Sequence, residues 1–137
     1  MYATADDMRA RFDEATLVQL TNTPSWGEAC EAAIGVKLQR ASIIIDGFVA
    51  KYYAPAPGIG TPPLLTEIEC DIAYADLHKV PTDDAKDRRA AAMKLLEKIA
   101  TGLIKLDNGE AVLPSRQGAV IVPATERTFS RDRLGGF

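Results

Sequence analysis

From Gly27 to about Tyr53 the apolar residues Cys30, Ile34, Leu38, Ala41, Ile45, Phe48 and Tyr52 recur at steps of four and three. That is the period of one face of an α-helix, and it does not match a strand, whose faces alternate at every second residue. The spacing predicts a long main helix, around which anything else in the chain has to be arranged. Ile43, Ile44 and Val49 add apolar side chains well outside that one face. A stripe this wide implies cover on two sides, so the helix is either central in the domain or covered by a second subunit. The segment Ala54-Pro55-Ala56-Pro57-Gly58-Ile59-Gly60-Thr61-Pro62 cannot continue it, because proline removes donors and glycine is conformationally permissive.

The rest of the first hundred residues is also helical in period. Thr4 followed by Asp7 has the form of a capping box, which starts a helix near Ala5. Asp13 can cap a second piece, so Asp6 to Thr21 reads as two linked helices, with Met8, Phe12, Leu17 and Leu20 as the apolar side and Asn22 to Ser25 as the stop. Pro63 suits a first helical residue. Leu65, Ile68, Ile72 and Ala75 continue from it towards Val80, and Pro81 closes the helix. Thr82, with Asp83 and Asp84 at the positive end of the dipole, opens the last helix, whose stripe is Ala92, Leu96, Ile99, Leu103 and Leu106 before Asn108-Gly109. The expectation is a mainly α chain: an antiparallel bundle of four to five helices over residues 1–108. Its core is Leu65, Ile68, Ile72, Leu96, Ile99 and Leu103 around Ile34, Leu38, Ile45 and Phe48.

Residues 109–137 differ in character. Glu110 to Leu113 and Ala119 to Val122 are short β-prone runs around Pro114-Ser115-Arg116-Gln117-Gly118, which predicts a short β-hairpin. A two-stranded hairpin alone is marginal in water, so it needs a surface to lie on. Beyond Pro123 there is no period, only an extended C-terminal arm with aromatics and arginines. The whole arm from about Gly109 to Phe137 is expected to be the principal partner-binding element: its β-prone runs can add strands to an edge on another chain, with Phe129, Leu134 and Phe137 as apolar anchors and Arg131 and Arg133 pairing with carboxylates at the rim.

The chemistry available to such a chain is narrow. Its 137 residues suffice for one domain and one core. A net charge of -3 argues against a dedicated DNA or RNA binder, which needs a strongly basic face, while leaving room for DNA contact inside an assembly. Lys94, Lys98 and Lys105 share one side of the last helix, which is too little for a nucleic-acid site and reads as a solvated face. The opening Met1-Tyr2-Ala3-Thr4 lacks the basic flank and apolar run of a signal peptide, and no stretch approaches the roughly 18 apolar residues of a membrane span. A cytoplasmic chain with no membrane partner is inferred.

No active-site constellation stands out. The one histidine, His78, lies at a helix end, where its imidazole suits the negative pole of the dipole better than catalysis. Cys30 and Cys70 form no CxxC pair and read as reduced thiols packed as small hydrophobes, so neither a metal nor a disulfide is expected. Gly58-Ile59-Gly60 precedes a helix, but a dinucleotide fingerprint would need a glycine where Pro63 stands and a strand before it. No cofactor is expected. Asp46 and Asp71 interrupt apolar helical stretches, and a buried carboxylate must be paired or hydrogen-bonded. They read as partners of an arginine, a tyrosine hydroxyl or a backbone donor rather than as a metal or acid-base pair.

Several stretches together resemble one family. The opening Met1-Tyr2-Ala3-Thr4 with Asp7, Arg11-Phe12, Leu17, Leu20 and Thr21 is similar to the start of the head-tail connector, or head-completion, proteins of Mu-like bacteriophages and prophages. Ala41-Ser42 with Ile45-Asp46-Gly47-Phe48 and Tyr52 or Tyr53 resembles their central helix. Pro62-Pro63-Leu64-Leu65 with Cys70-Asp71-Ile72-Ala73 resembles the next, and Phe129-Ser130-Arg131-Asp132-Arg133-Leu134-Gly135-Gly136-Phe137 resembles their ending. The resemblance implies a structural virion protein at the head-tail junction, made in the host cytoplasm. Copies would form a head-to-tail ring beneath the portal protein, meet a tail-side connector protein, and extend a channel with non-specific contact to packaged DNA. It implies no catalytic residues. The rival expectations are a small helical protein-binding or regulatory module of a prophage, which should form a closed dimer, and an enzyme of another kind, which should show a concave pocket with convergent polar groups.

Overall fold

The first helix starts where the capping signal predicts. In the computed structural model, which describes residues 1–51, 53 and 60–106, helix α1 (Ala5–Arg11) follows Thr4, whose hydroxyl accepts the Asp7 N–H at 3.3 Å. The Asp7 carboxylate accepts the Thr4 N–H in return at 2.7 Å, so two of the unpaired donors at the helix start are satisfied together. Helix α2 (Glu14–Thr21) is capped in turn by Asp13, which accepts the Thr16 N–H at 3.3 Å, and it stops at Asn22 in the left-handed conformation, φ 56°. Asparagine is one of the few residues other than glycine that visits this region readily.

Helix α3 (Glu28–Val49) is the main helix, and it buries Cys30, Ile34, Leu38, Ala41, Ile45 and Val49. It is shorter than its period predicts. Tyr53 lies past its end, yet it is buried and its N–H donates to the Val49 carbonyl at 2.8 Å, so it stays in the core. Phe48 packs on the core only partly buried. Helix α4 (Pro63–Leu77) starts with proline in its first turn and ends before Val80, which is 83% exposed. Helix α5 (Asp83–Ala100) is capped by Thr82, which accepts the Ala85 N–H at 3.3 Å.

The end of α5 corrects the sequence reading, in which the apolar stripe carried the helix on to Leu106. Gly102 adopts φ 78°, its N–H donates to the Ile99 carbonyl at 3.0 Å, and the Leu103 N–H donates to the Lys98 carbonyl at 2.9 Å. This is the paired-bond ending that a glycine one position beyond the cap allows. Leu103 is turned out of the stripe and is 79% exposed, while Ile104 and Leu106 fold back against the core.

Helix α4 packs against both α3 and α5, which also touch each other; α1 lies on α4 and α3, and α2 lies on α3. Leu38, Ile45, Leu65, Ile68, Ile72, Leu96 and Ile99 are buried in one cluster, into which Met8 and Leu17 reach from the two short helices. Cys30 and Cys70 are free thiols inside it. The chain is therefore mainly helical, with five helices and no strand among the described residues. The β-hairpin expected over 110–113 and 119–122 has no support here: it, the arm and the division at residue 109 lie outside the described residues. Replacing Leu96 with alanine should cost about 2–5 kcal/mol of unfolding free energy through loss of buried contacts and the cavity left behind. Leu103→Ala should fall within about 0.5 kcal/mol of the parent, as exposed substitutions do. Urea denaturation of the two variants checks both values.

Candidate functional site

Helix α4 carries four acids; Glu67 is largely exposed, and Glu69, Asp71 and Asp76 are each met by a different part of the chain. Glu69 is fully buried. The segment before α1 crosses over it: the Tyr2 N–H donates to Glu69 Oε2 at 2.6 Å, and the Thr66 hydroxyl donates to the Tyr2 carbonyl at 2.8 Å. Burial pushes the Glu69 carboxyl up to about 7, against the opposing pull of the Tyr2 and Ala3 N–H groups. Its Oε1 has no hydrogen-bond partner among the described residues. The Tyr2 side chain continues to α3, where its hydroxyl donates to Asp46. Burial, followed by that bond, holds the phenol well above its ordinary value.

Asp71 and Asp76 hold helices together. Arg11 of α1 donates to Asp71 through Nε at 3.1 Å and Nη2 at 2.9 Å, a two-pronged bond that fixes orientation as well as charge. Arg88 of α5 stands 3.8 Å from the same carboxylate. Arg88 also pairs with Asp84 at 2.8 Å, as their four-residue spacing predicts. Asp76, with only a tenth of its side chain exposed, accepts a bond from Arg89 of α5 and lies 4.0 Å from Arg40 of α3.

An aromatic column stands beside this network. Phe12 stacks on Tyr74 at 4.0 Å between centroids and 5° between planes, and Tyr74 meets the His78 ring edge-on at 4.8 Å. The Arg11 and Arg88 guanidinium groups lie 6.0 and 5.6 Å from the Phe12 ring centroid. His78 caps α4, with Nδ1 2.9 Å from the Tyr74 carbonyl. These groups are engaged with one another across α1, α4 and α5.

Asp71 is paired with an arginine as expected, but Asp46 is exposed rather than buried in the apolar stretch around it. Sequence reasoning passed over the acid that is buried, Glu69, and the pairs of Asp76 with Arg40 and Arg89. A signal for Glu69 existed: it falls four residues after Leu65 and three before Ile72, inside the apolar stripe. Lys94 and Lys98 are exposed on α5, whereas Lys105 lies beyond its end, so the three do not share one helix face. Phe129, Arg131, Arg133, Leu134 and Phe137 lie outside the described residues.

A shallow, open depression of about 270 Å³ is lined by Asp7, Ala10, Arg11, Thr66, Glu67 and Cys70. Arg11 is already held there by Asp71, and burial pushes the Cys70 thiol up to about 12. A thiol that stays protonated at neutral pH is a poor nucleophile. No three potential metal-ligating side chains converge among the described residues, and no helix there is long and apolar enough to cross a membrane. What the surface does offer is apolar: Val36 and Ile43, on the side of α3 away from the core, are 66% and 67% exposed.

The family model described as Bacteriophage Mu, Gp36 matches residues 2–123, which include all five helices. No curated protein matches the chain.

The buried acid has a consequence for stability. Because the folded-state value of Glu69 is raised from 4.5 to about 7, the native state holds that proton more tightly than the unfolded chain does. The contribution is complete below pH 4.5 and is lost as pH rises through 7, a difference on the order of 3 kcal/mol. Glu69→Gln keeps an acceptor for the Tyr2 N–H and has no proton to lose. Its unfolding free energy relative to the parent should therefore rise between pH 5 and pH 8, measured by denaturant titration at each pH. A constant difference across that range would show that Glu69 does not titrate inside the fold.

Proposed function

We propose a structural role in the virion for this chain, which belongs to the Bacteriophage Mu, Gp36 family: it is a head-tail connector subunit that forms a ring beneath the portal and extends the DNA channel. The observation that carries this reading is the family match over residues 2–123, together with the likeness of the opening, central and closing motifs to head-completion proteins. The reading makes the chain a non-enzyme without a cofactor. It agrees with charged and aromatic side chains engaged in joining α1, α3, α4 and α5, and with a helix that keeps apolar residues on its outer side.

Partners follow from the role. Neighbouring copies meet head to tail through two different surfaces, as a ring requires, and the portal protein and a tail-side connector protein lie above and below. Packaged DNA passes through the channel with non-specific contacts. The arm from about Gly109 to Phe137 is the partner-binding element, with Phe129, Leu134 and Phe137 as anchors and Arg131 and Arg133 at the rim, since arginine and aromatics are what binding hot spots favour. In the unassembled state the subunit resides in the host cytoplasm.

Particles assembled without this protein should leak packaged DNA and fail to join tails, and supplying it in trans should restore both. Normal DNA retention and tail joining in its absence would refute the connector role. A chain cut after Pro123 should unfold at nearly the same temperature as the full chain yet fail to enter particles. Its normal incorporation would remove the arm from the interface.

A further inference from the structure

The segment before α1 is held by a clasp of side chains. Residues 1–3 make no backbone-to-backbone hydrogen bond among the described residues. Every polar group of Tyr2 is instead met by a side chain: its N–H by Glu69 at 2.6 Å, its carbonyl by the Thr66 hydroxyl at 2.8 Å, and its hydroxyl by Asp46 of α3. Thr66 and Glu69 stand about one turn apart on α4, so the segment lies as a strap across that face of the helix. Its apolar anchorage is small: Ala3 is covered, Tyr2 is half-buried with its ring centroid 6.4 Å from that of Tyr53, and Met1 is exposed. Helix α1 does not need the strap. It has its own capping box at Thr4 and Asp7, and it is fixed separately by the burial of Met8 and by the bond from Arg11 to Asp71.

Beneath the strap lies a group that the closed fold serves poorly. Glu69 is fully buried, yet its Oε1 has no hydrogen-bond partner among the described residues. Such an atom forfeits the hydrogen bonds that water would supply, and the loss is larger for an ionised carboxylate than for a neutral carboxyl. The surroundings do not make up for it. The Tyr2 and Ala3 N–H groups and the Met1 amino group favour the ionised form, whereas Asp46, facing it from α3, opposes it. Tyr2 and Cys70, which also lie close to it, bring no positive charge. The arginines that reach α4 from α1, α3 and α5 are taken up by Asp71 and Asp76. Burial therefore outweighs the donors, and the carboxyl is pushed up to about 7.

We propose that residues 1–3 form a strap that stays clasped on α4 while Glu69 carries a proton, and that lifts when Glu69 gives the proton to solvent, leaving the described helices in place. Lifting admits water to both carboxylate oxygens and uncovers Thr66 and Glu69. The Tyr2 hydroxyl on Asp46 is an anchor of the strap, and Glu69 is its sensor. A closed form that holds the proton more tightly than the open form is favoured at low pH, so raising the pH shifts the balance towards opening. With the carboxyl at about 7 under the strap and at its ordinary 4.5 once hydrated, the opening constant grows about 70-fold from pH 5 to pH 8. The inference does not depend on the connector role. To the effect of Glu69 on global stability it adds a local motion that occurs within the folded chain.

Amide hydrogen exchange of the purified full chain, followed by NMR, reads the strap directly. Protection of the Tyr2 and Ala3 N–H groups, corrected for the intrinsic exchange rate, should fall about 70-fold between pH 5 and pH 8. It should not respond to sub-denaturing urea, which speeds exchange at core amides such as Ile72 that open by unfolding. Glu69→Gln should remove most of the pH dependence, leaving what the Met1 amino group contributes. Tyr2→Phe breaks the bond to Asp46 but keeps the proton site, so it should lower protection by a similar factor at both pH values. Protection that does not vary with pH in the parent overturns the proposal. So does a pH dependence that persists undiminished in Glu69→Gln, or exchange of Tyr2 and Ala3 with the urea dependence of Ile72, which would mean that the strap opens only with the whole fold. Should Glu69→Gln not fold, the pH and urea dependence of the parent decide alone. All of these are read on purified protein, so failure here is distinct from failure of the particle experiments.

Discussion

The burial of α4 on most of its circumference is the constraint on which the rest of the structure depends. Leu65, Ile68, Cys70, Ile72, Ala73, Ala75 and Leu77 are all covered, which leaves Glu69, Asp71 and Asp76 of the same helix little access to water. Removing a carboxylate from water is costly unless donors replace the lost hydration. Each acid accordingly collects a donor from a neighbour: Glu69 the backbone before α1, Asp71 an arginine of α1, and Asp76 an arginine of α5. Apolar packing brings the helices together and is indifferent to orientation. The polar contacts are directional and set how α1, α3 and α5 lie on α4.

The same arrangement engages many of the charged and titratable groups in the described part of the chain. A reactive centre needs a base, acid or nucleophile turned towards a cavity. Here Arg11, Arg88 and Arg89 are held by acids, His78 is tied to the turn before it, and the Cys70 thiol is driven towards its protonated form. Glu69, whose carboxyl burial pushes up to about 7, is fully buried beneath Tyr2. The network therefore couples pH to the packing of the N-terminal segment. The outward resource of the fold is surface, above all the second face of α3.

That second face was legible in the sequence. Helix α3 is apolar around more of its circumference than its described neighbours cover, as the positions of Ile43, Ile44 and Val49 in the sequence already indicated. Val49 and part of Ile44 were absorbed by the core, while Ile43 remained outside with Val36.

The sequence by itself determined the features that depend on neighbours along the chain. These are the capping box at Thr4 and Asp7, the caps at Asp13 and Thr82, the proline start of α4, and the buried faces of α3, α4 and most of α5. Each is set by residues within a turn or two, where spacing and hydrogen-bonding chemistry leave few alternatives. The end of α5 was written locally too, in Thr101-Gly102, but the apolar spacing of Leu103 and Leu106 pointed past it. The left-handed glycine prevailed, because the Lys98 and Ile99 carbonyls gained N–H partners when the chain turned there. Only the tertiary structure decided which acid is buried, which arginine answers it, and which side of α3 stays open. Glu69, Asp71 and Asp76 are equally polar in sequence. Their burial depends on which helices come to rest on α4, and that is fixed by contacts between residues far apart in the chain.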